Sequence, residues 1–196
     1  MLRTPLYELC RAGGGRMVPF AGWEMPVQFS GLIQEHKAVR NSVGMFDISH
    51  MGVLRLEGTN PKDTLQQLVP SDLHRIGPGE ACYTVLLNDQ GGIRDDLIIY
   101  DLGAIDEERG ALVLVINAAR ADSDTAWIRE RMEPAGLTVT DIKNNGVLLA
   151  LQGPQAIPLL EELSGDDLSG LPRFGHRDLQ LQGLSHSVFT ARTGYT

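Results

Sequence analysis

Residues Ala81 to Tyr100 constrain the fold more than any other stretch of this chain. Tyr83-Thr84-Val85-Leu86-Leu87 is rich in β-formers, and Asn88-Asp89-Gln90-Gly91-Gly92 has turn chemistry. Ile93 to Tyr100 resumes as a strand, which makes the stretch a hairpin. Asp95 and Asp96 then fall inside its second strand. Side chains alternate along a strand, so Asp96, Ile98 and Tyr100 share one face and Asp95, Leu97 and Ile99 the other. A sheet covered on one side cannot show both carboxylates to water. One of them is held over a buried or half-buried surface, where it needs a partner or a task. The competing reading is an ordinary charged strand end beside a turn.

The chain has 196 residues, 42% hydrophobic and 21% charged, enough for one good-sized domain or two small ones. A net charge of -8 argues against a sequence-independent nucleic-acid binder, which needs a basic surface. The only cysteines, Cys10 and Cys82, make neither a disulfide framework nor a zinc cluster, so no metal is expected and a reducing, cytoplasmic location fits. The N-terminus lacks the apolar core of a signal peptide, and no apolar run approaches a membrane span.

Read in order, Thr4-Pro5-Leu6-Tyr7 starts a short helix that Gly13-Gly14-Gly15 ends. Met17 to Pro26 reads as an apolar segment laid over a core, and Pro26 to Phe29 as a short strand. Ile33 to Val43 has helical spacing, with His36 at the surface. Asp47, Ser49 and His50 suggest a catalytic triad, but alternation sends His50 to the opposite face, and no Gly-x-Ser-x-Gly elbow is present. Val53 to Gly58 is an alternating strand. Asn60-Pro61 opens a helix with Asn60 as its cap. Ala111 to Ile116 is apolar enough to be an interior strand. Asp122 or Ser123 caps a helix running to Met132, with Ala126, Trp127 and Met132 inward. Leu137 to Ile142 and Gly146 to Gln152 are strands. A helix carrying Ile157, Leu160 and Leu163 follows, then short strands at Leu179–Gln182 and Val188–Ala191. Hairpins outnumber crossovers, which predicts an α+β fold of mainly antiparallel sheets with flanking helices. No dinucleotide or phosphate-loop fingerprint is present.

Seven stretches together resemble one family: Thr4-Pro5-Leu6-Tyr7, Phe20-Ala21-Gly22-Trp23-Glu24-Met25-Pro26, Val43 to Gly52, Gly91 to Ile98, Asn117-Ala118-Ala119, Gln152-Gly153-Pro154 and Arg192-Thr193-Gly194-Tyr195-Thr196. In order and rough spacing they match the T-protein of the glycine cleavage system, an aminomethyltransferase. The resemblance covers the whole chain but only the N-terminal half of a family member, so the fold is expected to be incomplete at its C-terminus, and the segment alone inactive. It implies a first, discontinuous domain of residues 1–54 and 141–196, and a second over 55–140. It also implies transfer of a one-carbon unit from the aminomethyl-lipoyl arm of H-protein to tetrahydrofolate, with release of ammonia. The family's catalytic carboxylate falls on Asp96, and its folate pocket on Met51, Tyr83, Asp96, Asn117 and Tyr195. Lys37, Arg40 and Arg120 are candidates for a basic patch facing H-protein, with no membrane or nucleic-acid partner. The alternatives are a non-catalytic folate-binding module of the same fold and the demethylating oxidases that append this fold to a flavin domain.

Overall fold

The computed structural model describes residues 1–194. In chain order its elements are α1 (Tyr7–Ala12), β1 (Met17–Phe20), β2 (Trp23–Pro26), α2 (Leu32–Asn41), β3 (Gly44–Asp47), β4 (Gly52–Gly58), α3 (Pro61–Leu65), β5 (Ala81–Leu87), β6 (Ile93–Ala104), β7 (Gly110–Ile116), α4 (Ala121–Met132), β8 (Thr138–Asp141), β9 (Leu149–Gln152), α5 (Ala156–Ser164), β10 (His176–Leu179) and β11 (Val188–Ala191). All strand pairs are antiparallel. The chain divides into two compact units, Met1–His50 with Gly146–Thr196, and Met51–Asn145. Boundaries at 54/55 and 140/141 would cut β4 and β8, whose ladder from Leu54–Asp141 to Glu57–Thr138 keeps both strands in the second unit.

The Met51–Asn145 unit is one five-stranded sheet in the order β5-β6-β7-β4-β8. Period-two alternation sends Leu54, Leu56, Leu97, Ile99, Leu112 and Leu114 to one face, all at most 2% exposed. Leu65, Leu68 and Leu73 from α3 and the turns after it, with Ile128 and Met132 from α4, cover that face. Burying a leucine of this kind contributes about 1.5–3 kcal/mol, so this cluster is the main source of the unit's stability.

The capping of two helices differs from expectation. Asn60 sits in the left-handed region at φ 48° and makes no side-chain cap, whereas a capping residue is typically extended. α4 begins at Ala121 with no side-chain cap, and its buried row is Asp124, Ile128 and Met132. Ala126 is exposed, and Trp127 packs at the margin of the core. The buried row follows the i, i+4, i+8 spacing of a helix face, and one of its members is a carboxyl.

Among the described residues the other unit contains three two-stranded ladders, β1-β2, β3-β9 and β10-β11. Met17 to Pro26, expected as an apolar segment laid over a core, is a hairpin. Pro26 pairs with Met17 at one end of its ladder, Pro19 pairs with Glu24 one step before the last pair, Phe20–Trp23, and Ala21 and Gly22 turn the chain at φ 48° and 82°. Pro26 thus ends a strand instead of beginning one. α2 is fastened at its start by Glu35, whose Oε1 accepts the backbone N–H groups of Phe29, Ser30 and Gly31. β10 begins at His176, earlier than the expected Leu179, because its ladder runs from His176–Ala191 to Leu179–Val188. No helix among the described residues is long and apolar enough to cross a membrane.

Candidate functional site

The site is set by the β5–β6 turn. Asn88 Oδ1 accepts the N–H groups of Gln90 and Gly92 at 3.0 and 2.8 Å, which closes the turn and places Asp95 and Asp96 in register on β6. Val85 pairs with Asp96. Leu97 on β6 and Gly52 on β4 both pair with Ile116 of β7. One step beyond those pairs, Asp96, Asn117 and Met51 therefore line up across three neighbouring strands. Side chains directly opposite share a face, so this row lies on the side of Ile98 and Val115, away from the leucine core.

Tyr83, 57% exposed, stands on the same face and donates its hydroxyl to Asp96 Oδ2 at 2.9 Å. Asn117 follows the last residue of β7, where an extended backbone precedes the turn into α4. Its Nδ2 lies 3.1 Å from Asp96 Oδ1, 3.2 Å from the Asp96 carbonyl and 2.9 Å from Asp95 Oδ1. An amide nitrogen has two protons, so three acceptors compete for two donors. A carboxylate offers about four acceptor positions, and Asp96 retains acceptor capacity beyond Tyr83 and Asn117. The adjacent Asp96 carboxylate pushes the Tyr83 phenol up by accepting its proton in a hydrogen bond.

Asp95 points to the other side, with Leu97 and Ile99, and meets Asp124 of α4. Asp124 is 0% exposed. Burial first, then the hydrogen bond and negative charge of Asp95, push its carboxyl up to about 6, while Arg120 and Arg94 pull the other way. Arg94 Nε is 3.7 Å from Asp124 Oδ1, and its guanidinium lies over the Trp127 ring, 4.2 Å from the centroid. Arg131 also stacks on Trp127 and bonds Asp89 at 3.1 Å.

Of the residues expected from sequence, Asp96, Tyr83 and Asn117 are joined by direct hydrogen bonds, and Met51 lies half-buried at the end of the same row. Tyr195 lies outside the described residues. Lys37 and Arg40 are exposed on α2 of one unit, whereas Arg120 belongs to the other and acts on Asp124. The sequence motifs do not single out Asp124. Its signal was the spacing of Asp124, Ile128 and Met132, which puts a carboxyl in line with two core residues. The Asp47-Ser49-His50 cluster forms no triad. Asp47 accepts from Thr4 Oγ1 and the Ser49 N–H, and Ser49 Oγ exchanges hydrogen bonds with the Leu148 backbone. Among the described residues no group of three or more His, Cys, Asp or Glu could hold a metal ion.

The family model described as "GCVT N-terminal domain" matches residues 6–196. The chain belongs to the GCVT N-terminal domain family. It is 96% identical over 196 residues to an aminomethyltransferase of Synechococcus sp. (strain CC9902), covering 100% of this chain and 54% of that protein. It is 82% identical over 194 residues to the aminomethyltransferase of Parasynechococcus marenigrum (strain WH8102), covering 99% of this chain and 53% of that one. The solved structure of glycine cleavage system aminomethyltransferase T from Bartonella henselae superposes with a TM-score of 0.84 at 35% identity, over 100% of this chain and 51% of that one. The chain thus spans about half the length of the relatives it matches. This GCVT-family chain has the antiparallel α+β architecture of that solved relative, so the expected fold class holds.

Proposed function

We propose that the complete protein is a tetrahydrofolate-dependent aminomethyltransferase of the glycine cleavage system, with Asp96 as its catalytic residue. One observation carries the reading. On a chain 96% identical to a named aminomethyltransferase, a carboxylate on the sheet face away from the core is held by Tyr83 and Asn117 and keeps free acceptor capacity. In this reaction the bonds from the transferred carbon to ammonia and to the lipoyl sulfur break. The carbon passes to two nitrogens of tetrahydrofolate, whose two N–H protons leave with ammonia and the thiol. Tetrahydrofolate supplies the accepting nitrogens. Asp96 accepts a hydrogen bond from one of them and stabilises the positive charge that develops at the carbon as ammonia leaves. Tyr83 and Asn117 hold both oxygens of Asp96, so little reorganisation is needed at the moment of transfer. Met51, Tyr83 and Asn117 are proposed as part of the folate-lining wall, with Tyr195. The partner is lipoylated H-protein, which carries the aminomethyl group. The free thiols of Cys10 and Cys82 are consistent with a reducing, cytoplasmic setting.

The test is ammonia release by the complete protein from aminomethylated H-protein, with and without tetrahydrofolate. Stimulation by tetrahydrofolate that requires H-protein, and a loss of roughly 10²-fold or more in Asp96→Asn, is the expected result. Clear folate binding with no stimulated release would assign the protein to the non-catalytic module instead.

A further inference from the structure

Strict alternation along β6 would send Arg94 to the face of Asp96, yet its guanidinium lies on the opposite side of the sheet. The reason is an extra residue in the strand. Leu86 pairs with Asp95 and Leu87 with Ile93, so Arg94 has no partner on β5. A bulge of this kind re-aims the side chain of its unpaired residue. Here it turns Arg94 toward α4, whose Ile128 and Met132 cover the core face. We propose that Trp127 of α4 is a positioning residue for Asp96: its ring holds the Arg94 bulge in place, and with it the register that sets Asp96 beside Tyr83. For its effect on turnover the proposal rests on the transferase reading; its effect on the Tyr83–Asp96 bond stands without it.

Each link is a direct contact. The Arg94 guanidinium carbon lies 4.2 Å from the centroid of the Trp127 ring. Its Nε is buried, makes no hydrogen bond among the described residues, and stands 3.7 Å from Asp124 Oδ1. The guanidinium therefore depends on the ring face and on that ion pair for its placement. Arg131, one helical turn beyond Trp127, stacks on the same ring at 3.0 Å from the centroid and grips the hairpin a second time. Its Nη2 donates to both oxygens of Asp89 in the β5–β6 turn, at 3.1 and 3.2 Å. α4 thus holds the hairpin at the turn through Asp89 and at the bulge through Arg94, and both holds converge on Trp127. Trp127 lies against the core, so it acts on Asp96 through the strand.

The consequence for Asp96 follows from register. The turn fixes where β6 begins, through Asn88 Oδ1 and the N–H groups of Gln90 and Gly92. The extra residue decides which face every later side chain takes. With Arg94 unpaired, Val85 lies opposite Asp96, and the Tyr83 hydroxyl donates to Asp96 Oδ2 at 2.9 Å. A slip of one residue would send Asp96 to the core face and Asp95 to the open one. The bulge is where such a slip begins most easily, because the ladder is already interrupted there. The Arg94–Trp127 contact opposes it, since that contact is made only while Arg94 points to α4. Arg131 limits the movement of the ring on which Arg94 rests, and Asp89 ties that restraint to the turn.

The test uses the complete protein with tyrosine isotopically labelled at the hydroxyl-bearing ring carbon, read by NMR at Tyr83. That resonance responds to hydrogen bonding of the phenol, and Asp96→Ala calibrates it with the bond absent. Trp127→Leu keeps apolar bulk and removes the aromatic face. It is expected to move the Tyr83 resonance most of the way to the Asp96→Ala position, and to lower kcat per folded molecule roughly 10- to 100-fold with a smaller change in KM for tetrahydrofolate. Trp127→Phe keeps a ring face and is expected to recover most of both. Leu114→Ala empties the same core but leaves Trp127, Arg94, Arg131 and Asp89 in place, and is expected to keep the original Tyr83 resonance. If Trp127→Leu does not fold, Arg131→Met is read by the same two measurements, and is expected to move the resonance part of the way. An unchanged Tyr83 resonance in the variant that is read overturns the proposal. A shift in Leu114→Ala equal to that variant's also overturns it, because the effect would then be one of stability alone. If the unsubstituted protein shows no tetrahydrofolate-dependent release, the transferase reading fails, and the Tyr83 resonance decides the positioning role in either direction.

Discussion

The buried carboxyl of Asp124 has a thermodynamic consequence that can be worked from the structure. Its ordinary value is 3.8, and in the folded chain it is pushed up to about 6. Each tenfold change in proton affinity is worth about 1.4 kcal/mol, so the linkage is at most about 3 kcal/mol. The folded chain binds this proton more tightly than the unfolded chain does. The stabilisation from Asp124 is therefore complete below pH 3.8, and is lost as pH rises through about 6. Asp124→Asn is neutral at every pH and keeps a donor toward Asp95. Near pH 4 the two proteins should differ by about 1 kcal/mol or less, since a neutral carboxyl and an amide make similar bonds. From there to about pH 7 the variant should gain roughly 2 to 3 kcal/mol on the original, then hold a constant advantage. Hydrogen exchange at the amides of β6 and β7 is the suitable assay, because it reports the opening of this unit by itself. Comparing the two proteins at each pH cancels the intrinsic exchange chemistry and the titrating groups that do not face Asp124. A difference that stays constant within about 0.5 kcal/mol across the range would refute the argument.

Lys62→Met should destabilise the sheet unit by about 3 kcal/mol in urea unfolding, because it strips the ammonium held 2.7 Å from the buried Asp101 carboxylate. Leu114→Ala, at a fully buried position in the middle of the sheet, should cost about 2–5 kcal/mol by the same measurement. Gly153→Ala should lower the melting temperature of the other unit. A Cβ there meets the Val39 and Ser42 carbonyl oxygens at 2.4 Å, and the backbone has φ 116°. A wild-type melting temperature would show that this backbone contact gives way freely.

The sheet of this chain was legible because its strands are short-range objects. The hairpin from Ala81 to Tyr100 carries its own turn residues, and the alternation of Leu97 and Ile99 against Asp96 and Ile98 names the buried face without any knowledge of what covers it. The same period separated Asp95 from Asp96 and marked one of them as needing a partner. The N-terminal hairpin was less visible. Its two prolines weaken a strand signal, and only the positive φ at Ala21 and Gly22 closes the turn between them. The side-chain caps expected at Asn60 and at the start of α4 do not form for a related reason, since side-chain capping is one of several ways to satisfy a first turn.

Sequence alone determined the antiparallel α+β class, the identity of the carboxylate pair and, through seven short stretches, the family. Those properties depend on local periodicity, turn chemistry and residue identity, all of which are written within a few neighbours along the chain. Tertiary structure decided who meets the pair. Asn117 is brought beside Asp96 by the β6–β7 register, Tyr83 by the β5–β6 register, and Asp124 by the packing of α4 beneath the sheet. The proton affinity of Asp124 depends on burial and on a carboxylate far from it in sequence, and no reading of neighbours along the chain contains either one.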